Sequence, residues 1–377
     1  MSDPHPSVLT TWLTEPLGPA IAQSVDRLCR LDDVQRVAIM PDVHLAQDVC
    51  VGAVMGTQQL IYPAAVGGDI GCGMATLAFD LEAAAIGSEA EAGAILKGLY
   101  QMVPGNKHRK PRDLPERLDA LPLSDPRLRR IAQRDGRVQL GTLGRGNHFL
   151  EFQADADGRL WALIHSGSRA IGQAITAHHV RNARHSALGI ACLNAGEESG
   201  QGYLADVAWA RAYAQENRLA MLRAVEQLMQ RLFRAAADGV SLLDCDHNHV
   251  QVEQHFGQPL WIHRKGAQSA TLDEPGIIPG SMGAASFHTR GRGCAGALLS
   301  CSHGAGRKLS RSEARQSLSA KTFARQVGNL WYDVRRAGQL RDEAPGAYKD
   351  IRAVMRAQRD LARIERQLRP ILSYKGG

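Results

Sequence analysis

Residues 66–79 read VGGDIGCGMATLAF, and this stretch decides much of the predicted fold. A glycine-rich loop that carries Asp69 and Cys72 runs directly into an apolar segment, Met74 to Phe79, of the kind that forms buried strands. Glycine permits tight turns and close approach of the backbone to a ligand. The stretch therefore predicts a strand with metal-capable side chains at its start.

Other short apolar or β-branched runs also predict strands, which begin or end near unusual polar groups. They lie at Val37–Met40, Val49–Met55, Phe149–Phe152 and Leu160–Ile164. We do not expect a strand at FHTR, residues 287–290. Because strands and helices are interspersed without a regular βαβ rhythm, the pattern favours a mixed α+β core over a doubly wound parallel sheet.

Helices are predicted where apolar residues recur every three or four positions. One is expected from about Leu81 to Tyr100, broken or started at Gly87 and Ser88. A second ends before Gly239 and has an apolar stripe of Met221, Val225, Leu228 and Leu232. A third is expected from about Lys349 to Pro370, with an inward stripe of Ile351, Val354, Leu361, Ile364 and Leu368. Ser310 and Glu313 form a capping-box pattern that predicts a basic helix just after them.

Length and composition predict a folded protein with an affinity for phosphate-rich partners. The 377 residues are 44% hydrophobic, and the formal net charge is +7. We predict one domain over residues 1–377, in a soluble cytoplasmic protein, because no leader pattern and no apolar run of about 20 residues is found. The 7 cysteines show no CxxC pair, which argues against structural zinc or a disulfide framework.

Several common enzyme motifs are missing or out of context. Residues 291–296, GRGCAG, match GxGxxG, but the poor strand before them argues against a dinucleotide site. There is no P-loop, no HExxH and no GxSxG sequence. These absences argue against P-loop nucleotide hydrolysis, common zinc proteases and α/β-hydrolases.

Five glycine-rich or polar segments carry the side chains best suited to bind metal. They are GGDIGCGM (67–74), GRGNHFLE (144–151), HSGSR (165–169), DHNHVQVE (246–253) and SHGAGR (302–307). The candidate ligands within them are Asp69, Cys72, His148, His165 and His247. This oxygen, nitrogen and sulfur set does not name the ion: zinc suits the cysteine and histidines, and manganese is favoured only if the substrate is a nucleoside triphosphate.

His303 differs from the other histidines because three small residues, Gly304 to Gly306, follow it and leave room for a phosphate. A neutral imidazole nitrogen can attack phosphorus, so His303 is either a nucleophile or another ligand. The basic residues after it either follow an RNA backbone or form a solvated helix face: Arg307, Lys308, Arg311, Arg315, Lys321 and Arg325. The segment Pro104 to Arg117 is predicted to be an exposed loop, with RNA contact as one interpretation.

Eight motifs, taken in order, resemble the RtcB family of RNA ligases, from about residue 36 to Gly376. They are MPDVH (40–44), VGGDIGCGM (66–74), LGTLGRGNHFLE (140–151), HSGSR (165–169), HRKGA (263–267), PGSMG (279–283), SHGAGR (302–307) and DEAPGAYKDI (342–351). The resemblance implies an α+β fold in which mixed sheets flanked by helices surround a cleft for metal and nucleotide. It also implies two manganese ions, GTP, and the joining of an RNA 3′-phosphate or 2′,3′-cyclic phosphate to a 5′-hydroxyl.

The resemblance also assigns roles to residues. Cys72 would bridge the two ions, and Asp69, His148, His165 and His247 would complete their shells. His303 would take GMP from GTP and pass it to the RNA 3′-phosphate, giving RNA-3′-pp-G. The nucleotide contacts would fall on Asn147, Phe149, Glu151, His247, Asn248, Pro279, Gly280, Ser281, Met282, Ser286, Gly304, Ala305, Gly306, Tyr348 and Lys375.

The segment after MPDVH departs from the family pattern. Leu45 to Cys50, LAQDVC, stands where the family has a glycine-rich stretch, and the chain is short for the family. Both features are similar to the subgroup associated with release factor H, which implies damaged ribosomal RNA as the substrate in place of tRNA halves. Dependence on release factor H or on an archease-like activator stays open. Two other functions also remain: a metal-dependent cyclic phosphodiesterase, and a non-catalytic RNA-binding module.

Overall fold

A computed structural model describes residues 7–376. Residues 1–6 and 377, which are part of the domain predicted over the whole chain, lie outside the described residues, as does the start of the N-terminal stretch that was examined for a leader. The strands are β1 Val8–Thr11, β2 Val34–His44, β3 Val51–Thr57, β4 Leu60–Ile61, β5 Gly73–Glu82, β6 Phe149–Ala154, β7 Arg159–Ser166, β8 Arg184–His185, β9 Ala191–Asn194, β10 Ala237–Asp246, β11 Asn248–His255, β12 Gln258–Lys265, β13 Ala267–Ser269, β14 Pro275–Ile278, β15 Ser286–Gly291, β16 Ser300–Ser302 and β17 Ala362–Lys375.

The helices differ widely in length, and one of them is much longer than the rest. They are α1 Pro19–Cys29, α2 Glu89–Met102, α3 Pro126–Ile131, α4 Arg137–Gln139, α5 Arg169–Asn182, α6 Glu198–Phe233, α7 Arg311–Ser317, α8 Ala320–Val327 and α9 Ile351–Ala357. Between residues 7 and 376, no helix combines the length and the apolar character that crossing a bilayer requires.

Two large sheets organise the chain. One has the strand order β10-β5-β7-β6-β17-β15-β14, and the other has the order β1-β2-β3-β12-β11. The pair β1–β2 is parallel, whereas the pairs along the seven-stranded sheet are antiparallel. Helices α2 and α6 pack on the seven-stranded sheet through a core that includes Leu99, Phe152 and Leu228. The predicted α+β class is confirmed.

Most predicted elements are present. All five predicted strands fall within or overlap β2, β3, β5, β6 and β7, and the Met221 to Leu232 stripe lies on α6. Leu232 is the exception within that stripe, because its side chain is 36% exposed. The capping box at Ser310 is confirmed: Ser310 Oγ accepts from the Glu313 amide, and the Glu313 carboxylate accepts from the Ser310 amide.

The helix predicted from Lys349 to Pro370 is wrong after Ala357. Helix α9 stops there, and β17 begins at Ala362 as an interior strand paired with β6 and β15. The apolar spacing suits a helix, but backbone pairing outweighs local preference, because residues 362–368 pair with β15 and residues 369–375 pair with β6. Pro370 could not lie inside a helix without removing a hydrogen bond. Ile364, expected to point inward, is 51% exposed.

Three further predictions concern a helix, a strand and a loop: the first is confirmed in part, the second is wrong, and the exposure of the third is confirmed. The helix expected from Leu81 begins only at Glu89, after a capping box at Ser88, because β5 continues to Glu82. The segment FHTR is part of β15, contrary to the prediction, since it pairs with β14 and β17. The glycines after it lead into one 3₁₀ turn, Ala295–Ala297, and not into an α-helix. Residues 104–117 contain no buried side chain, as predicted for an exposed loop.

Candidate functional site

The strand register brings the predicted ligands to one edge of the seven-stranded sheet. Gly73 pairs with both Ser166 and Asp246, and Phe149 pairs with His165. Cys72 therefore precedes β5, His148 precedes β6, and His247 follows β10, all beside the end of β7. Segments that are distant in the chain converge here because antiparallel neighbours place the start of one strand against the end of the next.

The metal-capable atoms form two groups that share Cys72. The first contains Cys72, His165 and His247, and the second contains Asp69, Cys72 and His148, with the ligand atoms of each group within 4.8 Å of one another. Cys72 Sγ lies 3.2 Å from His165 Nε2 and 3.5 Å from His148 Nε2. A thiolate in both groups could contact two cations at once, and the donor set suits a divalent transition metal.

The electrostatic environment of these ligands favours cation binding. Burial, followed by neighbouring imidazole rings, holds the pKa of His165 and of His247 well below its ordinary value, so both rings are neutral and able to ligate. Burial and then the Asp69 carboxylate raise the pKa of the Cys72 thiol well above its usual value. A cation at the sulfur would reverse that shift. Burial would raise the pKa of Asp69, but a hydrogen bond from His148 brings it below its ordinary value.

His303 lies beside this cluster and is held by Asp42. The rings of His303 and His247 have centroids 4.7 Å apart. Asp42 Oδ2 lies 2.7 Å from His303 Nδ1 and also accepts from the amides of His303 and Gly304. Because Asp42 Oδ2 accepts hydrogen bonds from these amides, it acts as an acceptor towards the ring as well. Nδ1 therefore carries the ring proton, and Nε2 keeps its lone pair. A side chain at Gly306 would lie 2.1 Å from the Asp42 carbonyl oxygen, so this close contact requires glycine.

A cleft of about 730 Å³ opens in front of His303, a size within the usual range for a bound small molecule. Most of the predicted nucleotide residues line it: Asn147, Phe149, Glu151, Pro279, Gly280, Ser281, Met282, Gly304, Ala305, Gly306, Tyr348 and Lys375. Three cations from the basic segment, Arg307, Lys308 and Arg311, line it as well. The cleft therefore presents both polar groups for a base and positive charge for phosphates.

One wall of the cleft is a buried network of charged and phenolic groups. Lys375 Nζ donates to Glu343 Oε2 at 2.5 Å, and the same oxygen accepts from the Tyr348 hydroxyl at 3.0 Å. Arg307 donates to the Tyr348 oxygen at 2.9 Å. Nearby, burial raises the pKa of Glu151 to about 7. Glu343 had no role assigned from the sequence, although it lies in the DEAPGAYKDI motif.

Three predicted nucleotide residues do not line this cleft. His247 belongs to the metal-capable cluster, and its ring centroid lies 4.7 Å from that of His303. Asn248 is engaged within the protein, donating to the Asp69 carbonyl and accepting from the Gly266 amide. Ser286 is buried, and its hydroxyl accepts from Gln153, which also donates to Glu151. Asn248 and Ser286 thus hold other parts of the site.

Asp42 and Lys349 were missed as functional residues by sequence reasoning. Asp42 lies in the MPDVH motif, which was recognised without a role for the carboxylate. Lys349 Nζ donates to the carbonyl oxygens of Pro41 and Val43, on either side of Asp42. An acidic residue within a motif that is mostly apolar was the available indication, because burying a carboxylate is costly without partners.

The unusual segment after His44 borders the cleft. Leu45 and Ala46 line the cleft, and Leu45 is 54% exposed. Lys265, from the HRKGA motif, donates to the carbonyl oxygens of Gln47 and Val49 and so anchors the segment. The segment that departs from the family pattern therefore forms part of one edge of the cleft.

Comparison with known proteins gives a consistent family. The sequence model described as tRNA-splicing ligase RtcB matches residues 24–121 and 116–376. The chain is 37% identical to the RNA-splicing ligase RtcB of Escherichia coli, over 91% of this chain and 90% of that protein. It is 34% identical to an RNA-splicing ligase RtcB2 of another strain of that species, over 94% and 91% of the two chains. For the RNA-splicing ligase RtcB of Mycobacterium tuberculosis the identity is 33%, over 68% of each chain. The matched length, together with the site at the ends of β5, β6, β7 and β10, shows that this chain belongs to the RtcB family.

Proposed function

We propose that this protein is a GTP- and manganese-dependent RNA ligase that joins RNA 3′-phosphate or 2′,3′-cyclic phosphate ends to 5′-hydroxyl ends. Its relatives are named RNA-splicing ligases, and this supports the reaction class. The observation that carries the proposal is the position of His303, whose ring lies beside the metal-capable cluster and lines a nucleotide-sized cleft, with Nδ1 held by Asp42.

The reaction would begin at His303. Its Nε2 attacks the α-phosphorus of GTP, a phosphorus–nitrogen bond forms, and pyrophosphate leaves. Asp42 stabilises the charge that develops on the ring by accepting from Nδ1, as an oriented carboxylate does for a catalytic imidazole. The small residues after His303 leave room for the phosphate.

The remaining steps transfer GMP and then release it. An oxygen of the RNA 3′-phosphate attacks the guanylate phosphorus and the bond to His303 breaks, which gives RNA-3′-pp-G. The 5′-hydroxyl of the second RNA attacks the phosphorus of the RNA 3′-phosphate, GMP leaves, and a 3′–5′ phosphodiester forms. A 2′,3′-cyclic end must first be opened by water to the 3′-phosphate.

The metal and base sites follow from the same geometry. Asp69, Cys72, His148, His165 and His247 would hold two manganese ions, which would offset negative charge on the phosphate oxygens. The guanine would bind near Glu151, Tyr348 and Lys375, where the cleft offers acceptors and a cation. RNA phosphates would contact the basic residues that line the cleft.

We further propose that residues 1–377 act as one catalytic domain in the cytoplasm, on broken RNA such as tRNA halves or damaged ribosomal RNA. The seven-stranded sheet supports one domain, because it contains strands from residue 73 to residue 375. Adding release factor H or an archease-like protein to the ligation assay would test whether either one activates the enzyme.

A ligation assay separates this function from the two alternatives. Purified protein is given manganese, GTP and two RNAs, one ending in a 3′-phosphate or cyclic phosphate and one beginning with a 5′-hydroxyl. We expect a joined product that requires both GTP and metal. Opening of the cyclic phosphate without GTP and without joining would instead indicate a phosphodiesterase. RNA binding that a chelator does not affect, with no reaction, would indicate a binding module.

A further inference from the structure

Two neighbouring polar residues, Asn217 and Arg218, lie in the middle of α6 and are almost completely buried, with exposed fractions of 0% and 1%. Asparagine is unfavourable inside a helix, and burying an arginine is costly unless every donor finds a partner. The adjacent α6 stripe needs only apolar residues to pack on the sheet. The polar pair therefore serves something other than the core.

Asn217 binds two of the segments that carry candidate metal ligands. Its Oδ1 accepts from the amides of Gly141 and Thr142, at 2.7 Å and 3.1 Å, in the segment that leads to His148. Its Nδ2 donates to the Thr142 carbonyl at 3.1 Å and to Ser166 Oγ at 3.0 Å. Ser166 follows His165, so one amide ties the His148 and His165 segments together.

Arg218 binds the other two segments. Its Nη1 donates to the carbonyl oxygens of Gly71 and Ser166, at 2.8 Å and 3.1 Å, next to Cys72 and His165. Its Nε and Nη2 each lie 2.7 Å from an oxygen of Asp244. Asp244 lies near the end of β10, shortly before His247. The planar guanidinium can hold these three partners at once because its donors point in fixed directions.

We propose that Asn217 and Arg218 are positioning residues of the metal centre. Together they hold all four backbone segments that carry Cys72, His148, His165 and His247. They thereby fix the distances between these four side chains, which would bind the cations together. Glycine-rich loops lack regular partners of their own, and a long helix packed in the core supplies a rigid reference for them. This inference rests on the proposed function for the statement that the four side chains bind metal.

The experiment compares Arg218→Lys with Asp206→Asn. Lysine keeps the charge opposite Asp244 but cannot reach two carbonyl oxygens as well. Asp206 is a matched control on the same helix: it is buried, and it accepts from Ser124 and pairs with His179, away from the four segments. For each protein we would measure manganese binding by electron paramagnetic resonance, and the melting temperature in chelator.

We expect Arg218→Lys to weaken manganese binding at least tenfold, whereas Asp206→Asn binds manganese within twofold of wild type even though its melting temperature falls. If Arg218→Lys does not fold, Asn217→Ser is measured with the same expectation. Manganese binding within twofold of wild type in the folded variant would overturn the positioning role alone. A wild-type protein that binds no manganese would instead overturn the metal centre of the proposed function, and the positioning role with it.

Discussion

Asp42 Oδ2 lies 2.7 Å from His303 Nδ1, although 261 residues separate the two in the chain. Asp42 is fully buried, and Lys349 holds the carbonyl oxygens of the residues on either side of it. The contact fixes which ring nitrogen carries the proton and which way the other points. In the proposed reaction, this contact therefore orients the nitrogen that attacks GTP.

Replacing the Asp42 carboxylate should impair the reaction of His303 with GTP. Asp42→Asn should slow GTP-dependent labelling of the protein by about 10²- to 10⁴-fold, because a neutral amide stabilises the positive charge that develops on the ring much less than a carboxylate does. The rate of labelling by GTP carrying label in its α-phosphate measures the effect. Asp48→Asn, in the exposed segment nearby, is the control and should label at the wild-type rate. Equal rates for the two variants would remove Asp42 from the mechanism.

Manganese affinity should depend on pH. Since burial and Asp69 raise the pKa of Cys72, the thiol is protonated near neutral pH and must release its proton when a cation binds. His165 and His247, with lowered pKa values, are already neutral there. We expect affinity to rise about tenfold per pH unit between about pH 6 and 8. Titration calorimetry at several pH values would measure this.

Cys72→Ser is the control for the pH effect, since a serine hydroxyl does not ionise in this range. It should bind manganese more weakly and with a much shallower pH dependence. Wild-type affinity that stays constant over the same range would contradict the role of the thiolate.

A stability prediction follows from the contact between β5 and β10. A Cβ at Gly73 would lie 2.3 Å from the Cys245 carbonyl oxygen, a backbone atom that cannot move without shifting the strand. Gly73→Ala should lower the free energy of unfolding by about 1–3 kcal/mol and weaken manganese binding, because it separates Cys72 from His247. Denaturant unfolding in chelator measures the first effect.

Gly93→Ala is the matched control for that substitution. Gly93 lies within α2, and a Cβ there would meet nothing within 4 Å. Alanine should raise stability by about 0.5–1 kcal/mol through helix propensity. A Gly73→Ala protein as stable as wild type would show that the strands at the site tolerate displacement.

Glu343 should support nucleotide binding through Lys375. Glu343→Gln leaves the buried Lys375 without its ion-pair partner and weakens the hydrogen bond from Tyr348, so we expect GTP affinity to fall at least about tenfold. Asp342→Asn is a neighbouring control, because Asp342 pairs with Arg315 and does not line the cleft. If both variants bind GTP equally well in a calorimetric titration, the network has no role in nucleotide binding.

The sequence alone was sufficient for the α+β class and for the clustering of the ligand motifs. The candidate ligands stand out because each lies in a short segment of unusual composition beside a strand. The missed features depend on tertiary contacts. Residues 362–368 have helical spacing but form a strand, since they pair with β15 and the rest of the same strand pairs with β6. Asn217 and Arg218 gave no indication in the sequence, because their partners, mostly backbone atoms, lie far away in the chain.

The most direct test is to incubate the protein with manganese and GTP labelled in its α-phosphate, and then to locate any covalent adduct by mass spectrometry. The proposed function predicts one GMP on the His303 imidazole, lost in His303→Ala. An adduct on a different residue, or labelling that persists in His303→Ala, would contradict it.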